Sequence, residues 1–256
     1  MPRVKLTLEY DGTGFVGWQR QDNGPSVQAA LEEAIAAYCG QPCPTFASGR
    51  TDAGVHAEGQ VAHFDCPRAD KPETIRAALN FHIQPKTVAV LAAEIVPDDF
   101  HARFSCTGRS YLYRILNRSA HPALEAGRVW WVQRPLDARA MHEAAQVLVG
   151  RHDFTSFRAV ACQSKSPVKT LDSLEVSRYG EIVEVRTSAR SFLHHQVRNM
   201  VGTLKLVGEG KWTLRQVEKA LAARDRAAAG PTAPPDGLVF LSARYDQPSP
   251  PASPAT

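Results

Sequence analysis

The order of hydrophobic patterns along this chain is repeated, and that repetition constrains its fold more than any other feature. Hydrophobic and polar residues alternate over residues 4–10, which is typical of a half-buried strand. Ser26 then precedes a helical pattern as an N-cap, and Gly40 is placed to end that helix. The segments that follow are predicted as strands at residues 45–48, 60–64 and 87–96 and a helix at residues 72–81.

The second part of the chain follows a similar plan. A strand begins at Tyr111, and Asp137 is predicted to cap a helix. Two strands, at residues 171–176 and 182–187, are predicted to form a hairpin that turns at residues 178–181. The final predicted elements are a long helix with hydrophobic residues at helical spacing over residues 193–207, a helix opened by a capping box of Thr213 and Gln216, and a strand at residues 238–245.

This order predicts an α+β protein with two halves, each with a sheet covered by helices on one face. The predicted N-terminal domain spans residues 1–105 and the C-terminal domain residues 106–246, with the boundary near residues 100–108. Residues 247–256 are rich in Pro, Ser and Ala and are predicted to be a disordered tail.

Composition narrows the class of protein only moderately. The 256 residues carry a formal net charge of +4, and the sequence pI is about 8.9. This balance is compatible with binding to nucleic acid, and it fits an ordinary, slightly basic enzyme equally well. No apolar segment reaches the roughly 20 residues of a membrane-spanning helix, so a soluble protein is expected.

The cysteines and histidines do not predict a metal centre. The five cysteines include no CxxC pair, and without a secretory leader they are typical of reduced thiols in the cytoplasm. His194 and His195 are neighbours, and adjacent residues on a helix point in different directions. We therefore expect a cytoplasmic protein with no bound metal.

Asp52 lies in a predicted loop in which the next two residues have little or no side chain. In residues 49–57, Asp52 follows Arg50 and Thr51 and precedes Ala53 and Gly54. The flanking segments are predicted strands, so the loop lies at strand ends, where a scaffold can present a side chain to a ligand. An aspartate in such a loop is, on physical grounds alone, more often a turn-forming residue.

The sequence of this loop, taken together with four other segments, favours a functional role for Asp52. These segments are residues 11–21, 97–113, 152–158 and 192–202, in addition to residues 49–57. Together, and in this order, they closely resemble the tRNA pseudouridine synthase A family. The resemblance extends from about residue 4 to about residue 245.

The resemblance implies a fold, a reaction and partners. Family members have two ferredoxin-like halves, whose antiparallel sheets join around a central RNA-binding cleft, and they form homodimers in which one tRNA contacts both subunits. They isomerise uridine to pseudouridine at positions 38, 39 and 40 of the tRNA anticodon arm. The reaction is redox-neutral, so no cofactor is expected, and residues 11–14 match a nucleotide-binding glycine motif poorly.

The resemblance also implies roles for particular residues. Asp52 is the catalytic carboxylate, acting as a nucleophile or as a base toward the sugar. Arg198 and Arg50 are both candidates to stabilise its charge; the family favours Arg198 and assigns Arg50 to RNA. Tyr111 is the residue expected to stack on the target uracil, although Tyr113 lies on the same side of the strand.

Further residues are expected to bind the substrate. Leu238 matches the residue whose apolar side chain packs under the target base. Basic side chains are candidates for phosphate contacts, and His56, His101 and His152 are interpreted as loop-ordering or RNA-binding. The candidate basic residues are Arg20, Arg50, Arg103, Arg109, Arg114, Arg158 and Lys165, and residues Phe15, Trp18 and Gln19 are expected in the RNA-facing segment with Arg20.

Two other functions remain as alternatives. An RNA-binding module without catalysis is disfavoured because the sequence lacks the aromatic signature of single-strand RNA-binding sheets. An Asp-dependent hydrolase of glycosidic bonds would need a second carboxylate across the scissile bond. Asp98 and Asp99 are acidic, but the resemblance gives them no such role.

Overall fold

One ten-stranded, mostly antiparallel sheet organises the chain. The computed structural model describes residues 1–246, so the predicted tail lies outside the described residues. The strands are β1 (Arg3–Tyr10), β2 (Phe46–Ala47), β3 (His56–Asp65), β4 (Val88–Val96), β5 (Cys106–Asn117), β6 (Trp130–Val132), β7 (Gly150–Asp153), β8 (Val168–Tyr179), β9 (Ile182–Ala189) and β10 (Leu238–Tyr245). The α-helices are α1 (Val27–Cys39), α2 (Pro72–His82), α3 (Ala138–Ala145), α4 (Gln196–Gly208) and α5 (Leu214–Ala223).

The strand order shows how the two parts of the chain meet. The main path of the sheet is β4-β1-β3-β10-β5-β9-β8-β7, with β2 paired to β3 and β6 paired to β5. The last strand, β10, therefore lies between β3 and β5. It pairs antiparallel with β5, where Phe240 opposes Tyr111, and parallel with β3, where Val239 opposes His56. The start of β10 thus lies beside the end of the Asp52 loop.

The hydrophobic core follows from the predicted alternation. Val4, Leu6 and Leu8 on β1 are fully buried, and they join one cluster with the buried residues of the helices. Burying one such side chain stabilises the fold by roughly 1.5–3 kcal/mol. The α+β class predicted from the sequence is confirmed. None of the helices within residues 1–246 is long and apolar enough to cross a membrane.

The predicted helix ends are confirmed. The Ser26 side chain accepts a hydrogen bond from the backbone N–H of Ala29, and Gly40 ends α1 in the left-handed conformation. Asp137 caps α3 in the same way, and the Thr213–Gln216 capping box opens α5. Each of these signals acts within about one helical turn, so local sequence is enough to predict it.

Other boundaries differ from the prediction. The hairpin strands β8 and β9 are longer than predicted and turn at residues 180–181. Strand β2 has only two residues, and the short strands β6 and β7 were not predicted. Helix α4 begins at Gln196, so Leu193 lies before the helix. The boundary proposed near residues 100–108 falls around the start of β5, and the division into two domains stays a prediction.

Candidate active site

The Asp52 loop connects β2 to β3 and is held by several hydrogen bonds. The Gln60 side chain accepts a hydrogen bond from the Ser48 hydroxyl and donates one to the Gly49 carbonyl. The Thr51 hydroxyl lies 2.8 Å from the Tyr10 hydroxyl, and the Thr51 carbonyl accepts a hydrogen bond from the Trp18 backbone. The carboxylate is therefore presented by a loop whose backbone is fixed on both sides.

Two glycines of the segment after β1 let the chain approach this loop closely. A Cβ at Gly12 would lie 2.1 Å from the Val55 carbonyl oxygen. A Cβ at Gly17 would lie 2.7 Å from the Thr51 carbonyl oxygen, and Gly17 also has a φ of +111°. Side chains rarely adopt such a conformation, which favours glycine at this position.

The Asp52 carboxylate is surrounded by three basic side chains. Its Oδ2 accepts a hydrogen bond from Nη1 of Arg198 at 3.1 Å. The Nε2 atoms of His194 and His195 each lie 3.4 Å from a carboxylate oxygen, Oδ1 and Oδ2 respectively. The Asp52 side chain is 21% exposed. The carboxylate is thus largely buried but still reachable from solvent.

The opposing influences on Asp52 favour its ionised form. Burial is the largest influence and by itself would raise the pKa. The interaction with His194, the charge of His195 and the hydrogen bond from Arg198 together outweigh it, so the pKa of Asp52 is lowered. A lowered pKa keeps the carboxylate ionised at neutral pH, as a nucleophile requires.

The two histidines differ in charge state. The contact with Asp52 raises the pKa of His194 above its usual value, in spite of partial burial. Burial lowers the pKa of His195, in spite of the same carboxylate. His194 is therefore the more cationic of the two near neutral pH.

The argument from the sequence about these histidines was wrong. It placed both of them on a helix, where neighbours diverge, but they precede α4. His195 has a φ of 61°, in the left-handed region, and this turn brings both rings to the same carboxylate. The ring centroids are 4.0 Å apart. Asp52, His194 and His195 together offer ligand atoms within 4.8 Å of one another, which a metal ion could use.

Arg198 is held in place from two directions. It lies in the first turn of α4, and its Nε donates a hydrogen bond to the Ala233 carbonyl at 2.8 Å. The Ala233 backbone N–H in turn donates to the Arg198 carbonyl. Arg50, the other predicted partner of the carboxylate, has an exposed side chain without an ion pair to any residue of the described chain. The geometry therefore favours Arg198 as the partner of Asp52.

An aromatic wall lies beside the carboxylate. Tyr111 contacts Phe192 and Phe240 edge to face, each at a centroid distance of 5.1 Å. Burial raises the pKa of Tyr111, and the nearby charge of Asp52 raises it further. Leu238, which is buried, opposes Tyr113 at the start of β10, one pair of residues from Tyr111.

The structure also separates the two tyrosine candidates. The Tyr113 side chain is fully buried, and its hydroxyl donates a hydrogen bond to the Pro234 carbonyl at 2.7 Å. The Tyr111 hydroxyl has no hydrogen-bond partner among residues 1–246. Tyr113 thus ties β5 to the segment before β10, whereas the Tyr111 hydroxyl makes no such bond within the described part of the chain.

The predicted phosphate-binding residues have varied surroundings. Arg109 donates to the carbonyls of Ser48 and Arg190, so it braces the stem of the Asp52 loop. Arg20 is half exposed and pairs with Glu32 at 3.2 Å. Arg158 is partly buried, and the next residue along, Ala159, donates a backbone hydrogen bond to the His194 carbonyl. The other candidates are Arg103, whose guanidinium lies over the Phe104 ring, Arg114, which pairs with Glu125, and Lys165, which is exposed.

The prediction for the segment after β1 needs a correction. Phe15 and Trp18 are 6% and 2% exposed and belong to the core, because the Asp52 loop and α1 cover them. Their side chains are therefore not accessible to a ligand at the surface. His56 orders loops as predicted, since its Nδ1 accepts from the Gly12 N–H and its Nε2 lies 2.9 Å from the Gly127 carbonyl oxygen.

The acidic residues considered for a hydrolase lie elsewhere. The Asp98 carbonyl accepts a hydrogen bond from Arg3, which also pairs with Asp65. The charge of Asp99 helps to raise the pKa of the same Arg3 guanidinium. Asp65 is the last residue of β3, whereas the Asp52 loop precedes its first residue. Neither carboxylate therefore lies across a bond held at Asp52, which argues against a two-carboxylate hydrolase.

A partly buried, ionised aspartate with an arginine partner and neighbouring aromatic side chains is an arrangement suited to an enzyme that uses one carboxylate. The profile of the family described as tRNA pseudouridine synthase matches residues 7–105 and 144–246. The chain belongs to the tRNA pseudouridine synthase family, whose members are isomerases that convert uridine to pseudouridine.

Similar proteins in bacteria agree over nearly the whole chain. The tRNA pseudouridine synthase A of Rhodospirillum centenum is 67% identical over 245 residues, which cover 96% of this chain and 100% of that protein. The protein of the same name from Rhodospirillum rubrum is 62% identical over 245 residues, covering 96% of this chain and 88% of that protein. That of Parvibaculum lavamentivorans is 61% identical over 246 residues, covering 96% and 100%.

Proposed function

We propose that this protein isomerises uridine to pseudouridine at positions 38, 39 and 40 in the anticodon stem-loop of tRNAs. Support for a tRNA substrate comes from the family and from the names of the relatives. The observation that carries the chemistry is the partly buried Asp52 carboxylate, which is paired with Arg198 at 3.1 Å and lies near Tyr111.

In this proposal Asp52 is the nucleophile and acts without a cofactor. Arg198 holds the carboxylate ionised and oriented, and the cleaved base stays in the pocket until its C5 bonds to the sugar. The Tyr111 ring stacks on the uracil, which contributes roughly 1–3 kcal/mol, with its hydroxyl near C5. Leu238 packs under the base. The target must leave its stack, which costs a few kcal/mol and least in a loop or at a helix end.

The RNA lies in a cleft between two ferredoxin-like halves in this proposal. The strand orders support the idea. The N-terminal half has the order β4-β1-β3-β2, and the C-terminal half, without its short strands β6 and β7, has the order β10-β5-β9-β8. Both correspond to the sequence order fourth, first, third, second. Arg50, Arg20 and Arg158 are proposed to contact phosphates. Such contacts position RNA without reading its sequence.

We further propose that the protein is a cytoplasmic homodimer in which one tRNA contacts both subunits. Its five free cysteines fit a reducing compartment. Phe46 and Phe104 are 49% and 73% exposed on either side of His101, and exposed apolar patches often mark interfaces. Light scattering on the full chain tests the dimer, and a monomeric mass at micromolar concentration would contradict it.

The position of modification can be tested with tRNA transcripts that carry 5-tritiated uridine. Tritium leaves C5 only when C5 becomes the glycosidic carbon. We expect release from transcripts with a single labelled uridine at position 38, 39 or 40, and none from transcripts whose single labelled uridine lies elsewhere. Release from other arms of the tRNA would contradict the proposed site. Free uracil as the product would instead indicate the hydrolase.

A further inference from the structure

We propose that Asp52, His194 and His195 form a binding site for a transition-metal dication such as Zn²⁺, which inhibits the enzyme reversibly. The inhibition rests on the proposed role of Asp52, whereas the binding does not. Metal occupancy would engage the carboxylate that the reaction needs, so the site would act as a brake on modification.

The distances within the cluster match those of a zinc site. Zinc binds imidazole nitrogen and carboxylate oxygen at about 2.0–2.2 Å, so ligand atoms at neighbouring corners of a tetrahedron lie about 3.4 Å apart. The Nε2 atoms of His194 and His195 are each 3.4 Å from an Asp52 oxygen. All three ligand atoms fall within 4.8 Å of one another, so only small side-chain rotations are needed.

The donor set selects a particular class of metal. Two imidazoles and one carboxylate suit zinc, nickel or copper, whereas magnesium and calcium prefer oxygen ligands alone. Three protein ligands leave a fourth position open, which is the arrangement of metal sites that exchange ligands. The His194 side chain is 43% exposed, so a metal ion has a direct path from solvent.

The backbone places these ligands before any metal binds. The left-handed turn at His195 and the hydrogen bond from Ala159 to the His194 carbonyl fix the two residues ahead of α4. Arg198 opposes binding, because its guanidinium already contacts Asp52 and would repel a nearby cation. This opposition weakens the site, and weak binding is what a reversible inhibitory ion requires.

Equilibrium dialysis of the full chain against Zn²⁺ buffered over the micromolar range tests the site without any RNA. We expect the wild type to bind one more zinc ion per chain than the double variant His194→Gln/His195→Gln. The matched control is His82→Gln, an exposed histidine at the end of α2, which should bind as the wild type does. Circular dichroism verifies that each variant folds, and the single variants serve if the double variant does not.

Co²⁺ distinguishes this site from the cysteines. Cobalt held by nitrogen and oxygen gives visible absorption bands without the thiolate charge-transfer band in the near ultraviolet, and those visible bands should disappear in the histidine variants. Zn²⁺ should also reduce tritium release at least about tenfold, and EDTA should restore it. Equal zinc uptake by the wild type and the histidine variants, or none in either, would overturn the proposal. If the wild type modifies no transcript, the proposed function fails, while dialysis still decides the metal site.

Discussion

Replacing Gly17 with alanine should displace the Asp52 loop and so slow the reaction, in addition to any loss of stability. The new Cβ would lie 2.7 Å from the Thr51 carbonyl oxygen, and ordinary contact would require that oxygen to move by roughly 0.5 Å or more. The oxygen also accepts the Trp18 N–H, so the loop cannot retreat freely. Catalytic groups are held within about 0.5 Å of productive geometry, and a 1 Å error can cost about a hundredfold in rate.

The matched control lies three residues earlier. Gly14 also has a positive φ, +85°, but a Cβ there would meet nothing within 4 Å. Strained backbone at either glycine costs about 1–3 kcal/mol. We therefore expect both Gly17→Ala and Gly14→Ala to lose stability on urea unfolding, and only Gly17→Ala to lose about tenfold to a hundredfold in single-turnover tritium release. Equal rates for the two variants, measured where both are folded, would refute the reasoning.

Three further predictions follow from the contacts of the site. Arg198→Met should raise the pKa of Asp52, because it removes a hydrogen bond to the charged form. In a plot of rate against pH, the acid limb should therefore move to higher pH. An acid limb at the same pH would exclude Arg198 as the partner of Asp52. Tyr113→Phe should lower the free energy of unfolding by about 1 kcal/mol with little effect on the rate of tritium release. Tyr111→Phe should lower that rate with little effect on the free energy of unfolding. Urea unfolding and single-turnover assays distinguish the two variants. The pKa of His194 is raised in the folded protein. The stabilising contribution of His194 is therefore complete at pH values below the pKa of the unfolded chain, 6.5, and is lost as the pH rises through the pKa of the folded protein. The difference in free energy of unfolding between the wild type and His194→Gln should decline with rising pH, and a difference independent of pH would contradict this.

Local signals in the sequence were enough for most of the secondary structure. Ser26, Asp137 and Thr213 cap helices because a side-chain oxygen binds a backbone N–H within three residues. The alternation on β1 predicted its buried face for a similar reason. These interactions do not depend on distant parts of the chain.

Long-range contacts account for the features that the sequence did not predict. Nothing in the pattern of residues 238–245 indicates that β10 pairs with β3 as well as β5. Phe15 and Trp18 were expected in the RNA-facing segment, but their side chains are buried in the core. The left-handed conformation of His195 and the hydrogen bond from Ala159 to the His194 carbonyl position both histidines beside Asp52, and local sequence does not show either feature.

The Asp52 loop was recognised as a functional candidate because its sequence resembles that of a known family. Physical reasoning alone favoured a turn-forming role for Asp52. For two pairs of candidates, the structure agrees with the choice that the resemblance favoured. It places Arg198 rather than Arg50 at the carboxylate, and it leaves Tyr111 rather than Tyr113 without an internal hydrogen bond. Local sequence patterns alone do not choose within either pair, because Arg198 reaches Asp52 from α4, far along the chain, and Tyr111 and Tyr113 lie on the same face of β5.

The most direct test of the account is the rate of tritium release by Asp52→Asn, with tRNA binding measured in parallel. Asparagine keeps the shape of the side chain and removes its charge, and Asp172→Asn changes an exposed carboxylate as a control. We predict that Asp52→Asn binds tRNA and releases no tritium, while the wild type and Asp172→Asn release it equally. Release by Asp52→Asn at the wild-type rate would contradict the central claim that this carboxylate is the catalyst.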